Sequence, residues 1–349
     1  GTIAMKQELM AGRAIDISFC ADTTVPSIST DNTTYISSNW AHYTYVPQYS
    51  SHAVTVVGWD DNYPKENFLS GEVEGKLPDG SITTVSKTPP ANGAWLVKNS
   101  WGSGENEFPN RGGANWGLLK GEDTIPYDKN ATTENVHTGY FWLSYYDHSI
   151  CEPESLRFSV RSGSSKNTVT HAYDHMQGGE IADFEEKDVS RMANVFSTAR
   201  SERLKAVAVD TAEPDTTVRF DVFKLNKNAS NPTKGRRIAS KTETFEYAGF
   251  HRVQLDRAYP LKKGDRFSVV CTQVTQRKGK LRYRLLASYG AGENAARKWG
   301  LPFYSKAVVK KGESYYGYRT GAGGFKWQDW SEMIRDWKKD PKIDRLEID

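Results

Sequence analysis

The chain has 349 residues with a formal net charge of +3, from 46 basic and 43 acidic residues, and it is 37% hydrophobic, 12% aromatic and 26% charged. This length predicts about two domains, and the balanced charge argues against nucleic acid as the main partner. The three cysteines exclude a disulfide scaffold, and no run of about 18 apolar residues predicts a transmembrane segment. The many aromatic residues favour strands, so we expect a β-rich α+β fold.

The N-terminal part predicts one helix, one strand and a long loop. Apolar residues near helical spacing predict an amphipathic helix over residues 2–11, with Gly12 as its C-cap. Alternating apolar and polar residues predict a half-buried strand over 14–19, and the polar segment 21–50 is expected to be an exposed loop. Gly1 opens no signal-peptide pattern, and the abrupt start in a helix leads us to expect further sequence upstream.

The rest of the first half alternates apolar runs with long polar segments. Apolar, β-branched or aromatic runs predict three strands, over residues 53–59, 95–98 and 140–146. Residues 72–85 are predicted to form a hairpin around Asp79-Gly80. Residues 103–137 predict a long polar loop, and an insertion of this length is more typical of a functional or mobile segment.

The character of the sequence changes after Asp147. Residues 148–155 are predicted to be a linker, and short alternating strands separated by turns follow, for example at 218–222 and 281–285. This pattern predicts an antiparallel β-sandwich, closed by strands from Tyr315 onward and by the apolar residues of the C-terminal stretch. We therefore expect one domain over residues 1–150 and a second over residues 151–349.

Three residues of the first domain suit catalysis. His52 stands at the mouth of a buried strand that would hold its ring, and an imidazole can act as acid and base near neutral pH. Asn99 follows another buried strand and can orient that imidazole by a hydrogen bond, while Trp101 can cover the bond and exclude water. They are the base and the orienting group of a Cys-His-Asn arrangement. The alternative for each residue, taken alone, is an ordinary place on the surface or in the core.

Three motifs extend this interpretation to a family. HAVTVVGWD (52–60), WLVKNSWG (95–102) and GYFWLSYYD (139–147), in this order, resemble the C-terminal half of a papain-like cysteine peptidase. The resemblance implies that His52 and Asn99 are catalytic and that Trp101 shields their contact. It also implies that the first domain is the C-terminal, β-barrel-like lobe of a papain-like fold.

The same resemblance suggests substrate-binding residues. In the family, the strand matched by residues 14–19 borders the substrate groove. Ile17 is therefore expected to line the pocket for the side chain two residues before the cleavage site. Ser51 and Ala53, on either side of His52, are the other expected substrate-binding residues.

The family's nucleophilic Cys and oxyanion-hole Gln have no counterpart in this sequence. Cys20 lies in or just after the groove strand, Cys151 lies in the expected linker and Cys271 lies in the second domain. We therefore expect the nucleophile not to be in this chain and the N-terminal lobe to be missing. The chain is then a fragment or one chain of a processed pair, or else a natural remnant without peptidase activity. We favour the fragment, because His52 and Asn99 have no evident packing need.

The second half resembles a particular branch of the family. The loops 61–92 and 103–137 are long, and the segments 193–211 and 216–225 resemble the lectin-like β-sandwich that follows the peptidase domain in bacterial cell-surface members. This implies a secreted or cell-surface cysteine endopeptidase that hydrolyses peptide bonds. Its implied partners are a peptide or protein substrate, the missing N-terminal lobe as a separate chain, and a cell-wall or glycan component. The alternative is a non-catalytic surface binding protein whose sandwich binds glycan or protein.

No cofactor is required by this chemistry, and no metal site is expected. His171 and His175 are four residues apart but lack the Glu of a zinc-peptidase motif. A group of acidic residues in the second domain could supply oxygen ligands for Ca²⁺, although a solvated loop is the preferred interpretation. These residues are Glu180, Asp183, Glu185, Glu186 and Asp188. Four tryptophans could stack on sugars, although a place in the sandwich core is preferred. They are Trp299, Trp327, Trp330 and Trp337.

Overall fold

A computed structural model describes the chain as two compact units, residues 1–163 and 164–349, each with its own hydrophobic core. The residues that it describes are 1–22, 34–76, 80–102, 116–118, 137–157, 167–173, 181–186, 188–288, 297, 308–320 and 324–337, with the backbone alone at 76, 181–186, 288 and 337. Among the described helices, none is both long and apolar enough to cross a membrane.

The first unit is built on one six-stranded sheet. Its elements are α1 (Thr2–Met10), β1 (Ile15–Phe19), β2 (Ala41–His42), β3 (His52–Asp60), β4 (Glu72–Lys76), β5 (Ile82–Ser86), β6 (Ala94–Lys98), β7 (Tyr140–Ser144) and β8 (Cys151–Ser155). The strand order is β2-β7-β6-β3-β1-β8, with a parallel pair β2–β7 and antiparallel pairs elsewhere. The predicted hairpin is formed by β4 and β5, which make a separate two-stranded sheet.

Helix α1 ends as the sequence predicts. Gly12 has a φ of +75°, a conformation that costs glycine little. Its N–H donates to Leu9 O, and Arg13 N–H donates to Glu8 O, which are the two hydrogen bonds of a Schellman C-cap. The Arg13 guanidinium also contacts the Glu8 carboxylate through two hydrogen bonds.

The prediction that this helix is amphipathic is wrong. Met5 is buried and Leu9 is partly buried, but Ile3 is 75% exposed and Met10 is 77% exposed. Met5 and Leu9 are four residues apart and share the packed face, whereas Ile3 and Met10 are seven apart and share the solvent face. The helix therefore packs through a narrow strip.

The prediction of an exposed loop over 21–50 is wrong in its second half. Residues 40–46 are all buried, and β2 within them pairs with β7. Trp142 N–H donates to Trp40 O, and Tyr43 N–H donates to Tyr35 O. The segment looks polar because Thr and His alternate with its aromatic residues, but these polar groups are hydrogen-bonded inside the unit.

The prediction that 148–155 is a linker is also wrong. β8 pairs antiparallel with β1, with Ile15 opposite Ser155 and Ser18 opposite Cys151. It lies at the edge of the sheet and its central side chains are exposed, so its polar composition reflects an edge strand held by backbone hydrogen bonds. The sheet of the first unit therefore extends beyond the predicted boundary after residue 150.

The second unit contains the predicted series of antiparallel strands. They are β9 (Ile181–Glu186), β10 (Ser190–Ser197), β11 (Glu202–Thr211), β12 (Thr216–Leu225), β13 (Gly235–Phe245), β14 (Gly249–Leu261), β15 (Arg266–Arg277), β16 (Lys280–Ser288), β17 (Ser314–Arg319) and β18 (Phe325–Asp329). Eight of them form one sheet with the path β13-β12-β15-β10-β17-β18, in which β16 pairs with β15 and β9. β11 and β14 form a second sheet, and side chains of both sheets share one core, including Val207, Val253, Phe220 and Phe267.

The end of the chain agrees with the prediction in part. The closing strands β17 and β18 pair as expected. A helix that the sequence did not predict, α2 (Trp330–Trp337), follows them. Ile343, Leu346 and Ile348, which were also expected in closing strands, lie outside the described residues.

The described chain is strand-rich, as its composition predicted, and none of its described sheets closes on itself. The barrel-like form of the first lobe and the sandwich packing of the second domain stay predictions. What matters for function is that β1, β3, β6 and β7 are adjacent, because the three motifs and the predicted groove strand thereby come together.

Candidate active site

The structure brings His52 and Asn99 into direct contact. His52 begins β3 opposite Phe19 of β1, and Asn99 directly follows β6, the other neighbour of β3. His52 Nε2 lies 2.8 Å from Asn99 Oδ1. The contact is partly buried, and Asn99 itself is only 6% exposed. Residues 47 positions apart are thus held in hydrogen-bonding geometry by two paired strands.

A backbone group decides which way the Asn99 amide points. Ser100 N–H lies 2.7 Å from Asn99 Oδ1, so this atom must be the acceptor oxygen and not the amide nitrogen. The same oxygen therefore accepts from His52 Nε2–H. Because Nε2 carries the proton in the neutral ring, Nδ1 has the free lone pair. The pair defines one tautomer and leaves Nδ1 to act as the base.

Aromatic rings cover this contact. Trp101 stacks on His52 with ring centroids 4.8 Å apart and an interplanar angle of 27°. Trp116 packs against Trp101 at 5.3 Å and against Phe141 at 5.0 Å. The arrangement keeps water from one face of the imidazole, as the sequence predicted for Trp101. The sequence did not predict Trp116, because it lies in the polar segment 103–137.

The backbone beside Trp116 is held by β7. Gly139 N–H donates to Trp116 O, and Leu118 N–H donates to Tyr140 O. Gly117 between them has a φ of +95°, and a Cβ there would lie 2.5 Å from Tyr140 O. Only glycine fits this close approach, so the position of the Trp116 ring depends on it.

A second histidine, His42, lies on the other side of Phe19 from His52, and the sequence did not predict it. Phe19 separates the two rings, with its centroid 6.1 Å from His52 and 5.1 Å from His42. His42 is 1% exposed, its Nδ1 lies 3.3 Å from Asp147 Oδ2, and its Nε2 accepts from Asp22 N–H at 3.3 Å. The backbone donor at Nε2 places the ring proton on Nδ1, so His42 is a packed, hydrogen-bonded group.

Asp147 is the centre of this buried layer. Its carboxylate accepts from Thr44 N–H at 2.6 Å and from both Ser149 N–H and Oγ–H, besides His42. Burial alone would raise the pKa of Asp147, but the hydrogen bonds from His42, Ser149 and Thr44 hold the pKa below its usual value. Asp147 is the last residue of the GYFWLSYYD motif, and that position was the available sequence signal.

The three residues expected to bind substrate differ in exposure. Ser51 and Ala53 are exposed on either side of His52, and the Ser51 hydroxyl accepts from Ala21 N–H at 3.2 Å. Ile17 is 0% exposed and lies in the core of the unit. Because side chains alternate along β1, its neighbours Asp16 and Ser18 face outward instead. The structure gives Ile17 a packing role in place of the expected pocket-lining one.

Two of the three cysteines, Cys20 and Cys271, do not have the environment of a nucleophile. Burial raises the pKa of the Cys20 thiol, and the carboxylates of Asp147 and Asp22 raise it further. Cys271 is buried in the second unit, where desolvation raises its pKa to about 12. A reactive thiol needs the opposite effect, a pKa lowered by positive charge. No hydrogen bond or ring contact between a cysteine and His52 is present in the described part of the chain.

The remaining sequence candidates are only partly described. His171 contacts Glu202 through Nε2, whereas His175 lies outside the described residues. The acidic group considered for Ca²⁺ is described in its side chains only at Asp188, so calcium stays a prediction. Trp327 and Trp330 are half-buried, and Trp299 and the side chain of Trp337 are outside the description.

Comparison with known proteins agrees with these two units. Residues 172–338 match the family model described as a lectin-like domain. The chain is similar in structure to the clostridial cysteine protease Cwp84 after propeptide cleavage, with a TM-score of 0.59 and 22% identity over 94% of this chain and 63% of that one. No curated protein matches its sequence.

A second structural match has the same two-part organisation. It is the structure of the cysteine protease and lectin-like domains of Cwp84, a surface-layer-associated protein of Clostridium difficile, with a TM-score of 0.53 and 21% identity over 94% of this chain and 57% of that one. The chain thus spans less than two thirds of the length of either matched structure. At the level of the fold, the chain is therefore similar to a structure that contains cysteine protease and lectin-like domains.

Proposed function

We propose that the first unit supplies the His-Asn half of the active site of a papain-like cysteine endopeptidase, which hydrolyses peptide bonds. The observation that carries this proposal is the 2.8 Å hydrogen bond between His52 Nε2 and Asn99 Oδ1, covered by the stacked Trp101 ring. The similarity in fold to cysteine proteases supports it.

In this mechanism His52 moves the protons. Its Nδ1 takes the proton of a cysteine thiol, and the thiolate attacks the carbonyl carbon of the substrate. The imidazolium then protonates the leaving amine, which departs and leaves a thioester. In the second half, Nδ1 takes a proton from water, the resulting hydroxide cleaves the thioester, and the proton returns to sulfur. Asn99 accepts from Nε2–H throughout, so Nδ1 is presented to the reacting atoms in every step.

The nucleophile in this proposal is a cysteine that lies outside residues 1–349. The raised pKa values of Cys20 and Cys271 support this assignment, because both thiols are held in the protonated, unreactive form. The exposed side of His52, with Ser51 and Ala53 on either side, is where a thiolate and a peptide would approach. We infer that this cysteine comes from an N-terminal lobe, in the same protein or as a separate chain.

We also propose that the protein acts outside the cell, secreted or at a bacterial cell surface. The support is the similarity to a surface-layer-associated protein with the same pair of domains. The substrate is then a peptide or protein met at that surface. The chemistry needs no metal or cofactor, since the cysteine, the imidazole and the amide supply the nucleophile, the base and the orienting group.

The test uses the full-length protein that contains this sequence. It is treated with a thiol-directed peptidyl epoxide, and the labelled cysteine is located by mass spectrometry. The variants His52→Ala and His148→Ala are compared, since His148 is an exposed histidine of the same unit. We expect one labelled cysteine outside residues 1–349, loss of labelling in His52→Ala by several orders of magnitude in rate, and no change in His148→Ala.

Two results would contradict the proposal. Peptide hydrolysis that survives His52→Ala would show that His52 is not the base. A full-length protein that no such reagent labels, with no peptidase activity, would favour the non-catalytic surface binding protein instead. Labelling of Cys20, Cys151 or Cys271 would leave the reaction class but refute the external nucleophile.

A further inference from the structure

The main chain at the end of β1 is bound to the residue that precedes His52. Ser51 N–H donates to Phe19 O at 2.9 Å, and the Ser51 hydroxyl accepts from Ala21 N–H at 3.2 Å. Phe19 is also the cross-strand partner of His52, and the centroids of the two rings lie 6.1 Å apart. The position of residues 19–22, which we call the anchored segment, therefore bears directly on the position of His52.

Two buried side chains hold the other N–H groups of the anchored segment. Cys20 N–H donates to Ser149 Oγ at 2.9 Å, and Asp22 N–H donates to His42 Nε2 at 3.3 Å. Ser149 is 4% exposed and His42 is 1% exposed, so water does not replace these acceptors. Three consecutive N–H groups beyond the end of β1 are thus bound by side chains.

The Asp147 carboxylate makes both of these side chains hydrogen-bond acceptors. An ionised carboxylate has no proton to donate, and hydrogen bonds hold the pKa of Asp147 below its usual value. The Ser149 hydroxyl therefore donates to Asp147 Oδ1, at 2.6 Å, and keeps its lone pairs for Cys20 N–H. His42 donates from Nδ1 to Asp147 Oδ2, at 3.3 Å, which leaves Nε2 to accept from Asp22 N–H. One carboxylate thereby fixes the anchored segment at two positions.

The Asp147 side chain is itself held firmly. It is fully buried, and it accepts from Thr44 N–H at 2.6 Å and from Ser149 N–H at 2.9 Å, besides the two side chains. Burying a carboxylate is unfavourable even when its hydrogen bonds are satisfied, and an apolar residue of similar volume often gives equal or greater stability. Packing alone therefore does not explain the charge, and its hydrogen bonds lead to the segment beside His52.

We propose that Asp147 is a positioning residue for the base of the proposed peptidase. Through Ser149 and His42 it fixes the anchored segment, and through that segment it holds His52 against Asn99. Asp147 does not touch the reacting atoms. The inference rests on the proposed function, and it adds a buried carboxylate, acting through other residues, to the Cys-His-Asn arrangement.

The first test is the steady-state hydrolysis of a fluorogenic peptide by the full-length protein with Ser149→Ala. This variant removes the hydroxyl that accepts from Cys20 N–H and keeps the Asp147 carboxylate. Because a displacement of about 1 Å can cost about 100-fold in rate, we expect kcat to fall by about 10- to 100-fold. KM should stay within about twofold, since no substrate contact is removed. Ser149→Thr keeps a hydroxyl at this position and should recover most of the lost kcat.

The matched control is Ser37→Ala in the same unit. Ser37 is 5% exposed, and its hydroxyl donates to Asn67 O and accepts from Asn39 N–H. Both alanine variants remove a buried hydroxyl that donates one hydrogen bond and accepts another, so the melting temperature should fall by similar amounts in both. Only Ser149→Ala should lower kcat, because the Ser37 hydroxyl makes no hydrogen bond to the anchored segment within the described residues.

The second test measures the anchoring without peptide hydrolysis. Amide hydrogen exchange of the full-length protein is compared with that of Asp147→Asn and Ser149→Ala. In Asp147→Asn, the amide N–H₂ would face the main-chain N–H of Thr44 or that of Ser149, whichever way it is turned. We expect faster exchange in both variants at residues 20–22 and also at Ser51, because the anchored segment and Ser51 are hydrogen-bonded to each other. If Asp147→Asn does not fold, Ser149→Ala decides.

The positioning role and the proposed function fail in different ways. If the full-length protein hydrolyses no peptide, or if His52→Ala leaves hydrolysis intact, the proposed function is wrong and the positioning role falls with it. If His52→Ala abolishes hydrolysis but Ser149→Ala keeps kcat within about twofold, only the positioning role is refuted. An equal loss of kcat in Ser37→Ala, or unchanged exchange at Ser51 in the folded variants, refutes it as well.

Discussion

The contact between His52 and Asn99 makes a quantitative prediction for Asn99→Ala. The substitution removes the oxygen that accepts from His52 Nε2–H at 2.8 Å and from Ser100 N–H at 2.7 Å. Asn99 is only 6% exposed, so water replaces the lost acceptor poorly. In the proposed mechanism the imidazole becomes charged, and a hydrogen bond to a charged group contributes about 1.5–3 kcal/mol. With 1.36 kcal/mol per tenfold in rate, kcat/KM should fall about 10- to 150-fold.

The assay is hydrolysis of a fluorogenic peptide by the full-length protein, with the concentration of active sites fixed by titration. The matched control is Asn92→Ala, because the Asn92 side chain also accepts from a backbone N–H, that of Lys65, at an exposed position. Melting curves of both variants separate loss of catalysis from loss of folding. If Asn99→Ala keeps kcat/KM within about twofold of the unmodified protein, the orienting role of Asn99 is refuted.

Three further predictions concern stability. Hydrogen bonds from Arg13 and a serine hydroxyl lower the pKa of Glu8 to about 2. Its contribution to stability is therefore present above pH 4.5 and is lost as the pH falls towards 2. The melting temperature should accordingly differ less between pH 6 and pH 3 in Glu8→Gln than in the unmodified protein. Gly117→Ala should lower the melting temperature much more than Gly12→Ala, because both have positive φ but only the first would place a Cβ 2.5 Å from a backbone oxygen; equal losses would contradict this. Phe220→Ala, at a fully buried core position, should cost about 3–5 kcal/mol in urea denaturation, and a cost under about 1 kcal/mol would show that the core relaxes around the cavity.

The sequence predicts the parts of the site that local pattern determines. His52, Asn99 and Trp101 each follow or begin a strand whose apolar run is visible in the sequence, and the structure places Asn99 and Trp101 both in contact with His52. Strands with period-two alternation were predicted equally well, as in β1 and β12. In these cases the burial of each side chain follows from its own neighbours along the chain.

Features that depend on distant partners could not be predicted in the same way. His42 and Asp147 are 105 residues apart, and each looks like a surface residue until the other is beside it. β8 has the composition of a linker because an edge strand needs only backbone hydrogen bonds. Arg284 alternates with apolar residues along β16, yet it is buried and contacts Glu213. Tertiary contacts overrode the local pattern in all three places.

The hydrogen bond from Ser100 to Asn99 has an evolutionary consequence. The Ser100 side chain is exposed, and its part in the site is played by the main-chain N–H alone. Almost any residue at position 100 can therefore donate the same main-chain N–H, without changing the orientation of the Asn99 amide. Proline is the exception, because it has no N–H to donate. The main-chain N–H at position 100 can thus hold the Asn99 amide in the orientation that contacts His52, whatever the side chain at that position other than that of proline.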